Sequence, residues 1–118
     1  MNIGIDIVSI GRLERWVKDD DLLNRVFTDS EKAIILGKRN PAKHTAGRFA
    51  AKEAAMKALG TGWSKGVDWK DIEVINDSRG KPRLNFLGNA KKMTGGKGSS
   101  ISITYSEEFA VAMVVIQD

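Results

Sequence analysis

Between Gly47 and Gly62 the chain reads Gly-Arg-Phe-Ala-Ala-Lys-Glu-Ala-Ala-Met-Lys-Ala-Leu-Gly-Thr-Gly, and no other stretch constrains the fold so strongly. Ala, Leu, Met, Lys and Glu are the strongest helix formers. The segment therefore reads as a helix that is alanine wherever it is not charged. Gly60 suits its C-cap, where a positive φ is cheap only without a Cβ. At about 100° per residue, Ala46, Phe49, Ala50 and Lys57 fall within roughly 60° of Glu53. Glu53 thus lies on a face made mostly of small and aromatic carbon, where an unpaired carboxylate is costly. It calls for a cation: Lys57 one turn on, another part of the chain, or a metal. A plain Glu53–Lys57 pair on a solvated helix, worth about 0.3–0.5 kcal/mol, also fits the spacing.

The remaining segments give that helix a sheet to pack on. Residues 2–10 alternate as a strand, with Ile3, Ile5 and Ile7 on one face and Gly4, Asp6 and Val8 on the other. Asp6 is the odd member, and its ordinary place is the exposed polar face of a half-buried sheet. Gly11 to Lys18 reads as a short helix with Arg12 and Arg15 on its polar side. Asp19-Asp20-Asp21 breaks the pattern and can cap the next helical turn, Leu22 to Phe27. Thr28 and Glu31 form a capping box for a helix running to about Gly37. Pro41 suits the first position of the central helix, about Ala42 to Leu59. His44, the only histidine, reads as a surface or packing residue.

After the helix comes the glycine-rich Gly60–Gly66 loop, which holds Lys65 and is neither a Walker A sequence nor a dinucleotide fingerprint. Residues 71–76 and 83–86 read as the strands of a hairpin. Residues 88–93 form a short helix. Residues 101–105 alternate as a strand, and Phe109 to Ile116 is apolar on both faces, as in a central strand. The order predicts an α+β fold with helices packed on one face of a mainly antiparallel sheet.

The 118 residues fit one domain, 1–118, of ordinary globular composition. The absence of cysteine excludes disulfides, thiolate zinc sites and a cysteine nucleophile. Asp6 interrupts the first apolar run, so no signal peptide is expected, and no segment reaches the length of a membrane span. A soluble, cytoplasmic protein with no membrane association follows as the expectation. A net charge of +4 suits nucleic acid, a phosphorylated small molecule or an acidic protein. The clustered aromatic–basic motif of single-strand binders is missing, so no nucleic-acid partner is expected.

Three separated segments combine: Gly4-Ile5-Asp6-Ile7-Val8, the Gly47–Gly62 stretch, and Ile101-Ser102-Ile103-Thr104-Tyr105 followed by Ala110-Val111-Ala112. Asp71-Ile72-Glu73-Val74 and Gly80-Lys81-Pro82 lie between them. This arrangement resembles the holo-[acyl-carrier-protein] synthases, the small bacterial 4′-phosphopantetheinyl transferases, nearly end to end. The resemblance implies transfer of the 4′-phosphopantetheine arm of coenzyme A to a serine of apo acyl carrier protein, releasing adenosine 3′,5′-bisphosphate. It implies Mg²⁺ held by Asp6 and Glu53, with waters and substrate phosphate completing the oxygen shell. It implies Glu53 and Lys57 as catalytic residues, with Lys57 stabilising charge on the transferring phosphoryl group. The base that takes the serine proton stays open between Glu53 and a water on the metal.

The resemblance also implies that Arg48, Lys57, Gly60, Thr61, Gly62, Lys65 and Tyr105 bind coenzyme A, with Lys43 as a weaker phosphate contact. Arg48 would hold the nucleotide's 3′-phosphate. It lies about 140° around the helix from Glu53, which the family reconciles by placing its sites between the subunits of a homotrimer. Arg12, assisted by Arg15, would dock the acidic carrier protein. In most relatives the last motif reads Ser-x-Ser/Thr-His, whereas this chain has Tyr105 at the histidine position. A tyrosine cannot become cationic. Either the nucleotide end is held differently or it relies more on Arg48 and lysines.

Overall fold

The computed structural model describes residues 1–60 and 66–118. Strand β1 (Asn2–Ser9) is followed by a 3₁₀ turn (Gly11–Leu13) and helices α1 (Glu14–Val17), α2 (Asp20–Val26), α3 (Asp29–Leu36) and α4 (Pro41–Leu59). A second 3₁₀ turn (Trp69–Asp71) leads into the hairpin β2 (Ile72–Asn76) and β3 (Pro82–Phe86), then α5 (Gly88–Thr94), β4 (Ser99–Tyr105) and β5 (Phe109–Ile116). All strand pairs are antiparallel, and β5 is central in a three-stranded sheet ordered β1–β5–β4. The α+β expectation holds, with one refinement. The hairpin β2–β3 forms its own two-stranded sheet rather than joining the other. No helix among the described residues is long and apolar enough to cross a membrane.

The helix signals read from local sequence are realised. Asp19 accepts from the backbone N–H groups of Asp21 and Leu22, and Thr28 and Glu31 complete their capping box. Asn40 caps α4, Pro41 opens it, and Gly60 closes it in the left-handed region at φ 71°. α4 itself is buried on nearly every side, including Arg48 and Lys52 as well as its alanines. It is the core of the molecule rather than a helix lying on its surface.

The faces of β1 run opposite to the usual reading of apolar alternation. Gly4 and Val8 are buried and Asp6 is half-buried, whereas Ile3, Ile5 and Ile7 are 59%, 57% and 60% exposed. The cause is the close approach of the strand to α4. A Cβ on Gly4 would overlap the carbonyl oxygen of Ala54. Only the face carrying the glycine can lie on the helix backbone, so the isoleucines point outward. β5 follows suit, with Ala110, Ala112, Val114 and Ile116 buried and Phe109 and Met113 exposed.

Candidate active site

The contact between Gly4 and Ala54 carries Asp6, two residues on and on the same strand face, to the flank of α4. There the Lys57 ammonium donates to Asp6 Oδ1 at 3.1 Å and to the Ile5 carbonyl at 2.9 Å. Lys57 therefore pairs with the strand, not with Glu53 one turn away. Among the described residues no ion pair engages Glu53. Its pKa is raised above the ordinary glutamate value, first by burial and then by the charge of Asp6, with Lys57 and Arg12 opposing. Strand β1, the following 3₁₀ turn and α4 thus bring Asp6, Arg12, Glu53 and Lys57 into one electrostatic neighbourhood.

A half-buried glutamate whose proton affinity is raised by burial and by a second carboxylate nearby forms, with that carboxylate, a natural seat for a cation. The described residues offer no cluster of three or more histidine, cysteine, aspartate or glutamate side chains. A two-carboxylate donor set suits Mg²⁺, which keeps several waters and takes substrate phosphate oxygens. It does not suit the all-protein cage that Ca²⁺ or structural Zn²⁺ prefers. The residues present therefore fit the magnesium that the family resemblance implies.

Arg12 is exposed, with its guanidinium 5.7 Å from the centroid of the Phe49 ring. Phe49 lies between Trp16 and Trp69, at centroid distances of 5.1 and 5.2 Å. This aromatic group anchors a surface arginine beside the carboxylates. Arg15 is exposed on the adjoining helix α1.

Arg48 sits apart from that site, as its angle around α4 requires. It is 4% exposed, its Nη2 donates to Asn76 Oδ1 at 3.3 Å, and its Nε has no hydrogen-bond partner among the described residues. It borders a 160 Å³ cleft with Lys38, His44 and Tyr105. A Cβ on Gly47 would overlap the Tyr105 hydroxyl, so the glycine is what admits this ring against α4. The structure thus brings together Arg48 and Tyr105, which lie 57 positions apart in a chain of 118. Lys43 lies over the other side of the Tyr105 ring, 4.8 Å from its centroid. Of the remaining expected contacts, Gly60 caps α4, while Thr61, Gly62 and Lys65 lie outside the described residues.

Sequence reasoning assigned no role to Lys52. It is fully buried, and its ammonium donates to Glu31 Oε1 at 2.7 Å, to the Ile72 carbonyl at 2.7 Å and to the Trp69 carbonyl at 2.9 Å. Glu31 also accepts from the backbone N–H groups of Thr28 and Val74. This network fixes α4 against α3 and β2, immediately beside Glu53. The one signal for it in the sequence was a lysine inside an alanine helix with no acidic residue four positions away.

A sequence profile of the 4′-phosphopantetheinyl transferase superfamily matches residues 2–114. The chain is 42% identical over 117 residues to a holo-[acyl-carrier-protein] synthase of Protochlamydia amoebophila, covering 98% of this chain and 96% of that one. Among solved structures, it is similar to the holo-(acyl-carrier-protein) synthase of Bacillus anthracis in complex with CoA (3′,5′-ADP). The TM-score is 0.82 at 42% identity, covering 98% of this chain and 94% of that one. It is also similar to the Helicobacter pylori holo-[acyl-carrier-protein] synthase in complex with coenzyme A. That TM-score is 0.86 at 34% identity, covering 98% of this chain and 99% of the other.

Proposed function

The chain belongs to the 4′-phosphopantetheinyl transferase superfamily, and we infer that it is a holo-[acyl-carrier-protein] synthase. It transfers the 4′-phosphopantetheine arm of coenzyme A to a serine of apo acyl carrier protein. The serine hydroxyl gives its proton to a base as its Oγ forms a bond to phosphorus, the diphosphate P–O bond breaks, and adenosine 3′,5′-bisphosphate leaves. The observation that carries the assignment of the active centre is the convergence of Asp6, Glu53 and Lys57 on one flank of α4.

Asp6 and Glu53 are the residues that would hold Mg²⁺, which when bound neutralises charge on the diphosphate. Lys57 is half-exposed and already oriented by the Ile5 carbonyl. Its ammonium faces the developing charge on the leaving phosphate and stabilises it. Arg48 and Tyr105 bind the nucleotide end, while Gly60, Thr61, Gly62 and Lys65 line the coenzyme A path. Arg12, held on Phe49 beside Glu53, docks the acidic carrier protein, and Arg15 assists. Such placement couples docking to the centre where the serine must arrive.

We propose further that the protein works as a homotrimer in the cytoplasm. The support is the outer face of the three-stranded sheet, where Ile3, Ile5, Ile7, Phe109 and Met113 leave an apolar surface without a covering layer. Incubation with apo acyl carrier protein, coenzyme A and Mg²⁺, followed by intact-mass measurement, tests the activity. The carrier gains the mass of the phosphopantetheine arm. No gain across several pH values and metals overturns the assignment.

A further inference from the structure

The cleft beside Arg48 collects basic side chains from two parts of the chain. Lys38 enters from the loop after α3, and His44 and Arg48 enter from α4. The β2–β3 hairpin closes it with Asn76 and other groups that do not titrate, and β4 contributes Tyr105. Among the described residues no carboxylate lines it. The buried Nε of Arg48 has no partner among the described residues, and a buried donor left unmatched is costly unless a ligand completes it. The cleft measures 160 Å³, below the roughly 300–1,000 Å³ of pockets that take a whole small molecule. Its size suits one group of a larger ligand, and its charge suits an anion.

His44 is half-buried and lines this cleft. Its ring meets the Tyr105 ring edge-on, with centroids 5.9 Å apart. Tyr105 is in turn held against the bare backbone of Gly47. The imidazole thereby stands beside Arg48 in the wall of the cleft.

With the 3′-phosphate of the nucleotide read as seated at Arg48 in this cleft, we propose that His44 takes up a proton when the phosphate arrives. The proposal rests on the reading of coenzyme A as co-substrate and goes beyond it by naming a proton-linked residue that recognises the phosphate. The charged and titratable groups around the imidazole are Lys38, Lys43, Arg48 and Tyr105. In the empty cleft, burial holds the His44 pKa below its ordinary value, and Lys38, Arg48 and Lys43 depress it further. The neutral ring is therefore the resting form near neutral pH. A phosphate dianion reverses the local charge and favours imidazolium. Between the lower pKa of the empty cleft and the higher pKa of the filled one, binding absorbs a proton. Affinity accordingly rises as the pH falls through that interval. Protonation of the phosphate itself, with a pKa near 6, opposes the gain at lower pH.

His44 is the only histidine, so its imidazole resonance can be followed by NMR in the intact protein without assignment. The protein is titrated with pH alone, with adenosine 3′,5′-bisphosphate and with adenosine 5′-monophosphate. The bisphosphate raises the His44 pKa by about one unit or more, and the monophosphate leaves it in place. No rise with either nucleotide, or an equal rise with both, overturns the proposal. Calorimetry on His44→Gln supplies a second check. Wild type prefers coenzyme A over 3′-dephospho-coenzyme A by a ratio that grows about tenfold per unit of pKa rise as the pH is lowered toward 6. The variant shows no such growth, and a variant with the wild-type pH profile also overturns the proposal. Neither measurement needs turnover. A failed mass-gain assay with an intact His44 response removes the transferase reading alone, and the reverse removes this inference alone.

Discussion

The ammonium of Lys52 and the carboxylate of Glu31 meet at 2.7 Å with neither side chain exposing any surface. Burial pushes the Lys52 pKa below that of an ordinary lysine, even though Glu31 pulls it up. Attraction between the two charges therefore does not recover the full cost of removing the lysine from water, as is common for buried pairs. What the pair provides is location. Lys52 also binds two carbonyl oxygens near the start of β2, and Glu31 binds the amide of Val74. One helix residue thus ties α4 to α3 and the hairpin.

Lys52→Met removes one member and leaves Glu31 buried without its cation. The expected loss is about 3–5 kcal/mol, a large share of the roughly 5–15 kcal/mol that holds a domain folded. Urea unfolding followed by circular dichroism measures it. Lys18→Met, at an exposed lysine that makes no ion pair among the described residues, serves as the control and costs no more than about 0.5 kcal/mol. Equal losses in the two variants would refute the role given to the Lys52–Glu31 pair.

Glu53 yields a prediction of opposite sign for metal-free protein. Its folded pKa is raised by burial and by Asp6, so the folded chain binds more protons than the unfolded chain between the ordinary glutamate pKa and the raised one. Stability falls as pH rises through that window. Glu53→Gln removes the slope and stabilises the metal-free protein at neutral pH, by less than about 1 kcal/mol because solvent screens the site. The same substitution lowers Mg²⁺-dependent transfer by about 100-fold or more. Thermal melts across pH with chelator, set beside the mass assay, check both halves. A variant that is no more stable and still active has no carboxylate site at position 53.

Local features of this fold were legible before the structure because they depend on neighbours in sequence. The Thr28–Glu31 capping box, Pro41 at the start of α4, Gly60 at its end and the hairpin turn around Gly80 are all of this kind. The side of β1 that faces inward was not legible. Alternation separates Ile5 from Asp6 but does not say which face meets α4, and the bare backbone at Gly4 outweighed three isoleucines. Glu53 was conspicuous because a carboxylate stood on a carbon face. Residue pattern alone did not join Asp6 to it, which the family resemblance did; the partner of Lys57 needed the fold, since Lys57 and Asp6 lie 51 residues apart. The Lys52–Glu31 link, across 21 residues, stayed hidden for the same reason. In each case the missing information was which distant backbone approached, not which residue could react.

Ile5 and Met113 are direct cross-strand partners on the outer face of the sheet, and both are exposed. On a free monomer Ile5→Asp changes an exposed position and costs little, within about 0.5 kcal/mol. In a trimer assembled on this face it buries a charge among apolar side chains, which costs several kcal/mol. Sedimentation velocity gives three protomer masses for wild type and one for Ile5→Asp. A variant that still sediments as a trimer would place the assembly surface elsewhere.

Gly47→Ala sets two effects against each other. Alanine is a better helix former than glycine by about 1 kcal/mol, so local propensity predicts a more stable α4. The new Cβ, however, overlaps the Tyr105 hydroxyl. Tyr105 is only half-buried and lies at the end of β4, so the ring can swing outward where a core side chain could not. Stability therefore changes by less than about 1 kcal/mol in either direction. The cost falls on the Arg48 cleft, which loses the wall formed by Tyr105 and the ring that holds His44. Coenzyme A affinity drops about tenfold, equivalent to about 1.4 kcal/mol, while 3′-dephospho-coenzyme A binds nearly as before. Melting temperature and calorimetric affinity, measured on the same sample, separate the outcomes. Unchanged affinity for coenzyme A would show that Tyr105 has no part in holding the nucleotide.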